Sequence, residues 1–424
     1  MSKVIKKRYT EEADYGFNLR TAREEARRCL LCLDPPCSKG CPAGTDPGSF
    51  IRSIRLNNIK GAAETIRSNN ILGGSCARVC PYDRLCEEAC SRTGIDKPIQ
   101  IGRLQRFAIE QEKAFKMKVL EAPKKKKPFK VACVGAGPAS LACAAKLALE
   151  GYQVTIYEEK EKAGGVLTYG ITPSRLPEHV VAHDIKTVKD LGVKFVFGTK
   201  VGRDVDLNDM DYDAIFIGAG LWGDKLPDIP GVDKEGVWTA VEFLKTARVE
   251  KTKFKPGENV IVIGGGNVAI DCAVTAKLLG AKNVRIVYRR SIEEAPADMK
   301  EFKYALKLGV SITTEMAPAE VLGQDRVEAM AFTSRDGVST AKFKADDVVF
   351  AIGQKPEDMT AIAAVKVNEK GEIKATKSGK TNLAKVFAAG DVVSGGKTVV
   401  EAVAEGKEAA ESIIAYLAKK EGVK

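Results

Sequence analysis

The sequence predicts an α/β fold in which two nucleotide-binding units, the second inserted in the first, follow an all-α segment. Three observations carry this. A strand, a glycine-rich turn, a helix and a second strand recur twice after residue 129. A lysine run enclosed by Pro123 and Pro128 separates that part from what precedes it. Eight of the eleven cysteines lie before the run, among segments with helical but no strand periodicity.

Length and composition set the bounds. A chain of 424 residues with 44% apolar residues suits two or three globular domains. No apolar run of 18 residues is present, and the first thirty residues are charged throughout, unlike a signal peptide. Eleven cysteines without an export signal suggest metal ligation rather than disulfides, and so a cytoplasmic setting. The net charge of +11 raises a nucleic-acid binder as an alternative. However, residues 1–128 hold 26 Lys+Arg against 15 Asp+Glu, whereas residues 129–424 hold 41 of each. The surplus therefore sits with the cysteines and in the linker Lys124–Lys127, where it can surround anionic iron–sulfur clusters.

Before the linker, Thr21–Leu31, Ser49–Arg55 and Ala62–Ser68 read as short helices. After it comes the strand Lys130–Val134, the turn Gly135-Ala-Gly137-Pro-Ala-Ser140, a helix to Glu150 and the strand Gln153–Tyr157. The second unit is Asn259–Ile263, Gly264-Gly-Gly266-Asn-Val-Ala269, a helix to Leu279 and the strand Asn283–Tyr288. In such a Rossmann-like unit the first glycine makes the turn and the second lets backbone approach a pyrophosphate. The helix N-terminus then offers unpaired N–H groups.

The residues that end the second strands separate the two sites. Glu158 can accept hydrogen bonds from ribose hydroxyls and would repel a 2′-phosphate, which suits FAD. Arg289 and Arg290 carry guanidinium groups that bind a 2′-phosphate, which favours NADPH. Gly164-Gly165 suggests backbone passing close to the flavin nucleotide. Near the C-terminus, the strand Val386-Phe-Ala-Ala-Gly390-Asp391 is followed by Thr398 and a long helix, as in flavoprotein reductases with two nucleotide domains. If both ends of the α/β part meet FAD, the nicotinamide domain lies between them. The expected domains are residues 1–125 (helical), 126–226 and 356–424 (FAD) and 227–355 (NAD(P)H).

Cys133, Cys143 and Cys272 are isolated and read as core residues, so no redox disulfide is expected. His179 and His183 have i, i+4 spacing but no third ligand, and read as a solvated helix face. The electron exit is instead the N-terminal segment: Cys29-x2-Cys32-x4-Cys37-x3-Cys41-Pro42 and Cys76-x3-Cys80-Pro81-x4-Cys86-x3-Cys90. Three close cysteines and a remote fourth suit a [4Fe-4S] cluster, whereas zinc prefers paired Cys-x2-Cys knuckles. Spacing allows two four-cysteine sites with Cys41 and Cys80 exchanged.

The segments Arg28-Cys-Leu-Leu-Cys32, Pro36-Cys-Ser-Lys-Gly-Cys-Pro42, Phe50-Ile-Arg52, Gly61-Ala-Ala-Glu-Thr-Ile66 and Ile101-Gly-Arg-Leu-Gln-Arg-Phe107 carry a resemblance. Over nearly its whole length the chain resembles the NAD(P)H-oxidising subunits of bacterial dihydropyrimidine dehydrogenases and the N-terminal half of the animal enzyme. The small subunit of glutamate synthase and the flavin subunits of ferredoxin-dependent transhydrogenases and sulfide dehydrogenases are more distant likenesses.

The resemblance implies hydride transfer from NADPH or NADH to FAD, two [4Fe-4S] clusters, and a catalytic partner subunit with an FMN barrel that reduces uracil or thymine. The charge distribution and hydropathy predict neither nucleic-acid nor membrane binding, and no catalytic side chain is identified beyond the cofactors. The resemblance assigns FAD to Gly135, Ala136, Gly137, Pro138, Ala139, Glu158, Gly165, Arg175, Gly390, Asp391, Thr398 and Val399. The nicotinamide nucleotide falls to Gly265, Gly266, Asn267, Val268, Arg289, Arg290, Ala351, Ile352 and Gly353. Where the family often has a further basic residue for the 2′-phosphate, this chain has Ser291-Ile-Glu-Glu. The resemblance also divides the cluster ligands as Cys29, Cys32, Cys37 and Gln105 in one set and Cys41, Cys80, Cys86 and Cys90 in the other, leaving Cys76 unused.

Overall fold

The computed structural model describes residues 9–206, 209, 211–223 and 225–421. The chain divides into two compact units. One comprises Asp14–Thr168, Glu178–Leu221 and Pro356–Lys424; the other comprises the described residues up to Ala13, Tyr169–Pro177 and Trp222–Lys355.

The first unit begins with helices α1 (Leu19–Arg27), α2 (Pro36–Lys39), α3 (Pro47–Arg55), α4 (Ile59–Asn69), α5 (Gly73–Val79) and α6 (Ile101–Ala114). Asn18 and Thr21 form a capping box that starts α1, and Asp46 and Asn58 cap α3 and α4 through their side chains. Phe50, Ile54, Ile66, Leu104 and Phe107 bury a core between these helices. The expected helices are present with ends shifted by a few residues, which is ordinary fraying at helix termini. Pro123 to Pro128 has neither helix nor strand, consistent with a linker.

The chain continues with β1 (Lys130–Val134), α7 (Pro138–Leu149), β2 (Gln153–Glu158), α8 (Val166–Tyr169), α9 (Glu178–Asp190), β3 (Lys194–Phe197) and β4 (Ala214–Ile217). Residues of the second unit follow: β5 (Val237–Thr239), α10 (Ala240–Glu250), β6 (Asn259–Ile263), α11 (Asn267–Leu278), β7 (Asn283–Val287), α12 (Met299–Lys307) and β8 (Ser311–Thr313). β9 (Met316–Leu322), β10 (Ala329–Ser334), β11 (Thr340–Lys344) and β12 (Asp347–Phe350) complete it. The chain then adds β13 (Val386–Ala388), α13 (Asp391–Ser394) and α14 (Val399–Glu421) to the first unit.

Each unit holds a five-stranded parallel sheet, ordered β13-β4-β1-β2-β3 in the first and β5-β12-β6-β7-β8 in the second. The order reverses beside β1 in one and beside β6 in the other, so both glycine turns open at a switch point where nucleotides bind. The second unit adds an antiparallel sheet, β11-β10-β9. The chain is thus an α/β protein of two Rossmann-like domains, one interrupting the other, behind a helical domain. Tyr169–Pro177 packs with the nucleotide unit, although the sequence assigns it to the flavin domain. Cys133, Cys143 and Cys272 are fully buried, as core residues should be. Among the described residues no helix is long and apolar enough to cross a membrane.

Candidate functional site: two nucleotide cradles and a cysteine-lined helical domain

The turn after β1 is built for close backbone approach. Gly135 has φ +82°, and a Cβ there would lie 2.9 Å from the Gly218 carbonyl oxygen at the end of β4. Gly137 has only that oxygen near it, at 3.8 Å, and leaves the N-terminus of α7 open. Gly165, at φ +53°, sits so close that a Cβ would be 3.0 Å from Gly137 Cα, and Gly164 N–H donates to Ala136 O at 2.8 Å. The double glycine therefore lies on the phosphate turn.

Glu158 is 5% exposed; its carboxylate accepts from Ala136 N at 2.7 Å and Lys160 N at 3.0 Å. Burial raises its pKa, opposed by those backbone bonds. A carboxylate has acceptor capacity beyond two bonds, so ribose hydroxyls can still be held.

The C-terminal segment closes on the same turn. A Cβ on Gly390 would meet Ala139 Cβ at 2.8 Å, and Gly390 N–H donates to Glu405 on α14 at 2.9 Å. Asp391 is held by Lys397 N–H at 3.0 Å, and burial raises its pKa. Thr398 and Glu401 exchange hydrogen bonds as a capping box that starts α14. Gly218 and Glu405 belong to this cradle but are not on the sequence-predicted list. A strand ending in Ile217-Gly218-Ala-Gly220 was the available signal for the first; the second had none.

Arg175 lies in the nucleotide unit, with Nη1 3.1 Å from Asp271 Oδ2 and Nε 3.3 Å from Glu301 Oε1. These ion pairs pack its segment on α11 and α12. Burial pushes Asp271 up to about 7 despite the guanidinium.

The second cradle repeats the first. At Gly264, with φ +149°, a Cβ would lie 2.4 Å from Ala351 O, and at Gly265 it would strike the Tyr288 ring at 2.6 Å. Gly266 has open space, with Pro296 at 3.9 Å. Asn267 exchanges two hydrogen bonds with Asp298, at 2.9 and 3.1 Å, which fixes the start of α11. Val268 is 39% exposed, and Ala351, Ile352 and Gly353 follow β12 at the same end of the sheet. Arg289 and Arg290 are exposed just beyond β7. Beside them Glu294 accepts from Ser291 N at 3.1 Å and from Arg335 at 2.8 Å.

In the helical domain, Cys29, Cys32, Cys37 and Cys90 line one pocket with Leu31, Pro36, Ile51 and Ile99. Arg92, two residues after Cys90, donates to Arg28 O at 2.8 Å, and Arg28 donates to Lys97 O at 2.6 Å. These bonds press the segment around Cys90 onto the Cys29 turn. Cys90 therefore lines the pocket of the first trio, and Gln105 is not among its lining residues.

Gln105 is buried on α6, and its amide donates to Gly73 O on α5 at 2.8 Å. Cys41 and Cys86 lie within each other's electrostatic reach. Burial pushes Cys37 up to about 11 and Cys76 up to about 12. The Cys76 thiol lies 3.9 Å from Asn70 Oδ1. Four thiols around an apolar pocket are a fitting donor set for an iron–sulfur cluster. The thiols stand apart: among the described residues no three His, Cys, Asp or Glu side chains come together closely enough for a single metal ion.

The histidines also depart from expectation. His179 is exposed, but His183 is turned inward, its Nε2 3.5 Å from Glu112 Oε2 on α6. α9 packs against the helical domain, so only part of its polar face meets solvent.

Comparison with known proteins supplies the family. Residues 129–406 match the family model described as pyridine nucleotide-disulphide oxidoreductase, and residues 6–117 match dihydropyrimidine dehydrogenase domain II, 4Fe-4S cluster. The chain is 42% identical over 411 residues to the NAD-dependent dihydropyrimidine dehydrogenase subunit PreT of Escherichia coli K12, covering 96% of this chain and 97% of that one. It is 33% identical to the glutamate synthase [NADPH] small chain of the same organism, covering 95% and 92%. Among solved structures, FprA of Mycobacterium tuberculosis in complex with NADPH aligns with a TM-score of 0.59 at 20% identity, covering 70% of this chain and 86% of FprA. Thioredoxin reductase of T. acidophilum aligns at 0.55 with 24% identity, covering 69% and 98%, and these two likenesses speak for the fold alone. With two nucleotide cradles behind a cysteine-lined helical domain, and relatives matched end to end, this chain belongs to the pyridine nucleotide-disulphide oxidoreductase family, in the PreT group of iron–sulfur flavoenzyme subunits.

Proposed function

We propose that this oxidoreductase is an electron-input subunit: it takes hydride from a nicotinamide nucleotide onto FAD and sends single electrons through two [4Fe-4S] clusters to a partner that reduces uracil or thymine. The observation that carries this reading is the joining, in one chain, of two pyrophosphate cradles with a cysteine-lined helical domain. FAD, when bound, supplies the step from a two-electron donor to one-electron carriers. The chain's residues hold and orient. Gly135–Ala139 and α7 face the pyrophosphate, Glu158 the ribose and Asp391 the sugar chain of the flavin, while Gly265–Val268 and α11 hold the second nucleotide.

Cys29, Cys32, Cys37 and Cys90 would hold one cluster. Cys41, Cys80, Cys86 and Gln105 would hold the other, with Cys76 a packing thiol. The partner and the pyrimidine are carried by the likeness to PreT, named as a subunit of a dihydropyrimidine dehydrogenase. The purified chain is expected to oxidise NAD(P)H with artificial acceptors and to leave uracil and thymine untouched. Uracil reduction by this chain on its own would defeat the assignment.

Nucleotide choice rests on Arg289 and Arg290. Replacing Arg289 with Ala should weaken NADPH more than NADH, because only NADPH presents a 2′-phosphate to the guanidinium. Loss of a charge-assisted bond is worth about 1.5–3 kcal/mol, roughly 10- to 150-fold in binding. The relatives at 42% identity are named NAD-dependent. An equal loss for both nucleotides would make Arg289 structural and leave NADH as the natural donor.

A further inference from the structure

The C-terminal helix has a job beyond closing the flavin cradle. α14 starts at the capping box of Thr398 and lies against the phosphate turn, where a Cβ on Gly406 would be 2.2 Å from Ala139 O. That contact demands glycine, and it fixes the rotation of the helix. The next residue, Lys407, is half-buried and leaves the flavin domain. Its ammonium donates to Ala43 O at 2.8 Å and to Asn69 O at 2.5 Å. Ala43 is two residues past Cys41, and Asn69 is the last residue of α4, whose carbonyl end favours a cation. The charged groups that Lys407 feels are Cys41, Lys146 of α7 and Glu411 of its own helix. Burial lowers the Lys407 pKa, while Cys41 and Glu411 favour the charged form and Lys146 opposes it.

Lys407 is nine positions beyond Thr398 along α14, a rise of about 13 Å. One rigid element therefore runs from the flavin-side cap to the second cysteine set. No comparable link from the flavin domain reaches the Cys29 pocket among the hydrogen bonds of the described residues.

We propose that Lys407 is a positioning residue that sets the reduction potential of the cluster held by Cys41, Cys80 and Cys86. The inference rests on the two-cluster reading above. Reduction adds one negative charge to a cluster, and a nearby cation in a poorly solvated site favours that state. Lys407 therefore raises the potential of its neighbour.

The test is a redox titration of the full-length holoprotein, followed by low-temperature EPR of the reduced clusters. Lys407→Gln keeps donors for the two carbonyls and removes the charge; Lys407→Arg keeps the charge. The Gln variant should lower the midpoint of one cluster only, making its reduction at least tenfold less favourable, about 59 mV for a one-electron couple. The Arg variant should stay near the wild-type value. Unchanged potentials in Lys407→Gln with full iron content overturn the proposal. Loss of iron in both variants overturns it as well, since Lys407 would then be a structural tether. Failure of the two-cluster reading looks different: the wild-type protein itself would lack a second iron–sulfur signal.

Discussion

Cys90→Ala is expected to lower the iron content by roughly half while leaving the flavin bound, because it removes one of four thiolates from one cluster and none from the other. Cys90 lines the pocket of Cys29, Cys32 and Cys37, and the bond from Arg92 to Arg28 O holds it there. Cys76→Ala, by contrast, should keep all the iron, since its thiol is buried against Asn70 and lies outside the pocket lined by Cys29, Cys32, Cys37 and Cys90. Gln105→Leu should alter the EPR spectrum and potential of the second cluster only, because a neutral oxygen ligand is lost. Iron analysis and low-temperature EPR of the three variants read this directly. Full iron in Cys90→Ala, or a lost cluster in Cys76→Ala, would restore a different ligand scheme.

Arg67→Met should destabilise the joint between helical and flavin domains by about 3–5 kcal/mol, the usual cost of leaving buried charges without their partner. Arg67 is wholly buried: its guanidinium lies 2.6 Å from Asp184 Oδ1, 2.9 Å from Glu112 Oε2 and 2.5 Å from Ile71 O. Asp184, on α9, also accepts from Ser75 N and Ser75 Oγ at 2.7 Å each. The arginine thus ties α4 and α6 to the flavin domain at one point. Urea unfolding followed by tryptophan and flavin fluorescence measures the loss, and a change below about 1 kcal/mol would rule out the tie.

The same network predicts an acid limb. Burial raises the Glu112 carboxyl, but His183 and Arg67 outweigh it, so its pKa ends below the ordinary glutamate value. A depressed carboxylate stabilises the folded state above its unfolded pKa, and that contribution drains as pH falls through the folded value. Stability of this joint should therefore decline on acidification below the ordinary glutamate range. Glu112→Gln should flatten the decline.

The sequence alone determined the parts governed by local rules. Both βαβ units, their glycine turns and the acidic or basic residue after each second strand were legible, because a tight turn and an open helix N-terminus restrict residue type over a few positions. β1 and β6 run over the predicted residues. The insertion of one nucleotide domain in the other followed from Gly390-Asp391 returning to the flavin site. Tertiary structure decided what depends on distant segments meeting. Cys90 joins Cys29 at one pocket, and Arg175 pairs with Asp271 and Glu301. His183 turns towards Glu112, and Lys407 reaches Ala43. Spacing along a chain reports neighbours within a turn or a strand; which loop covers which pocket depends on packing between elements, and no local periodicity encodes that.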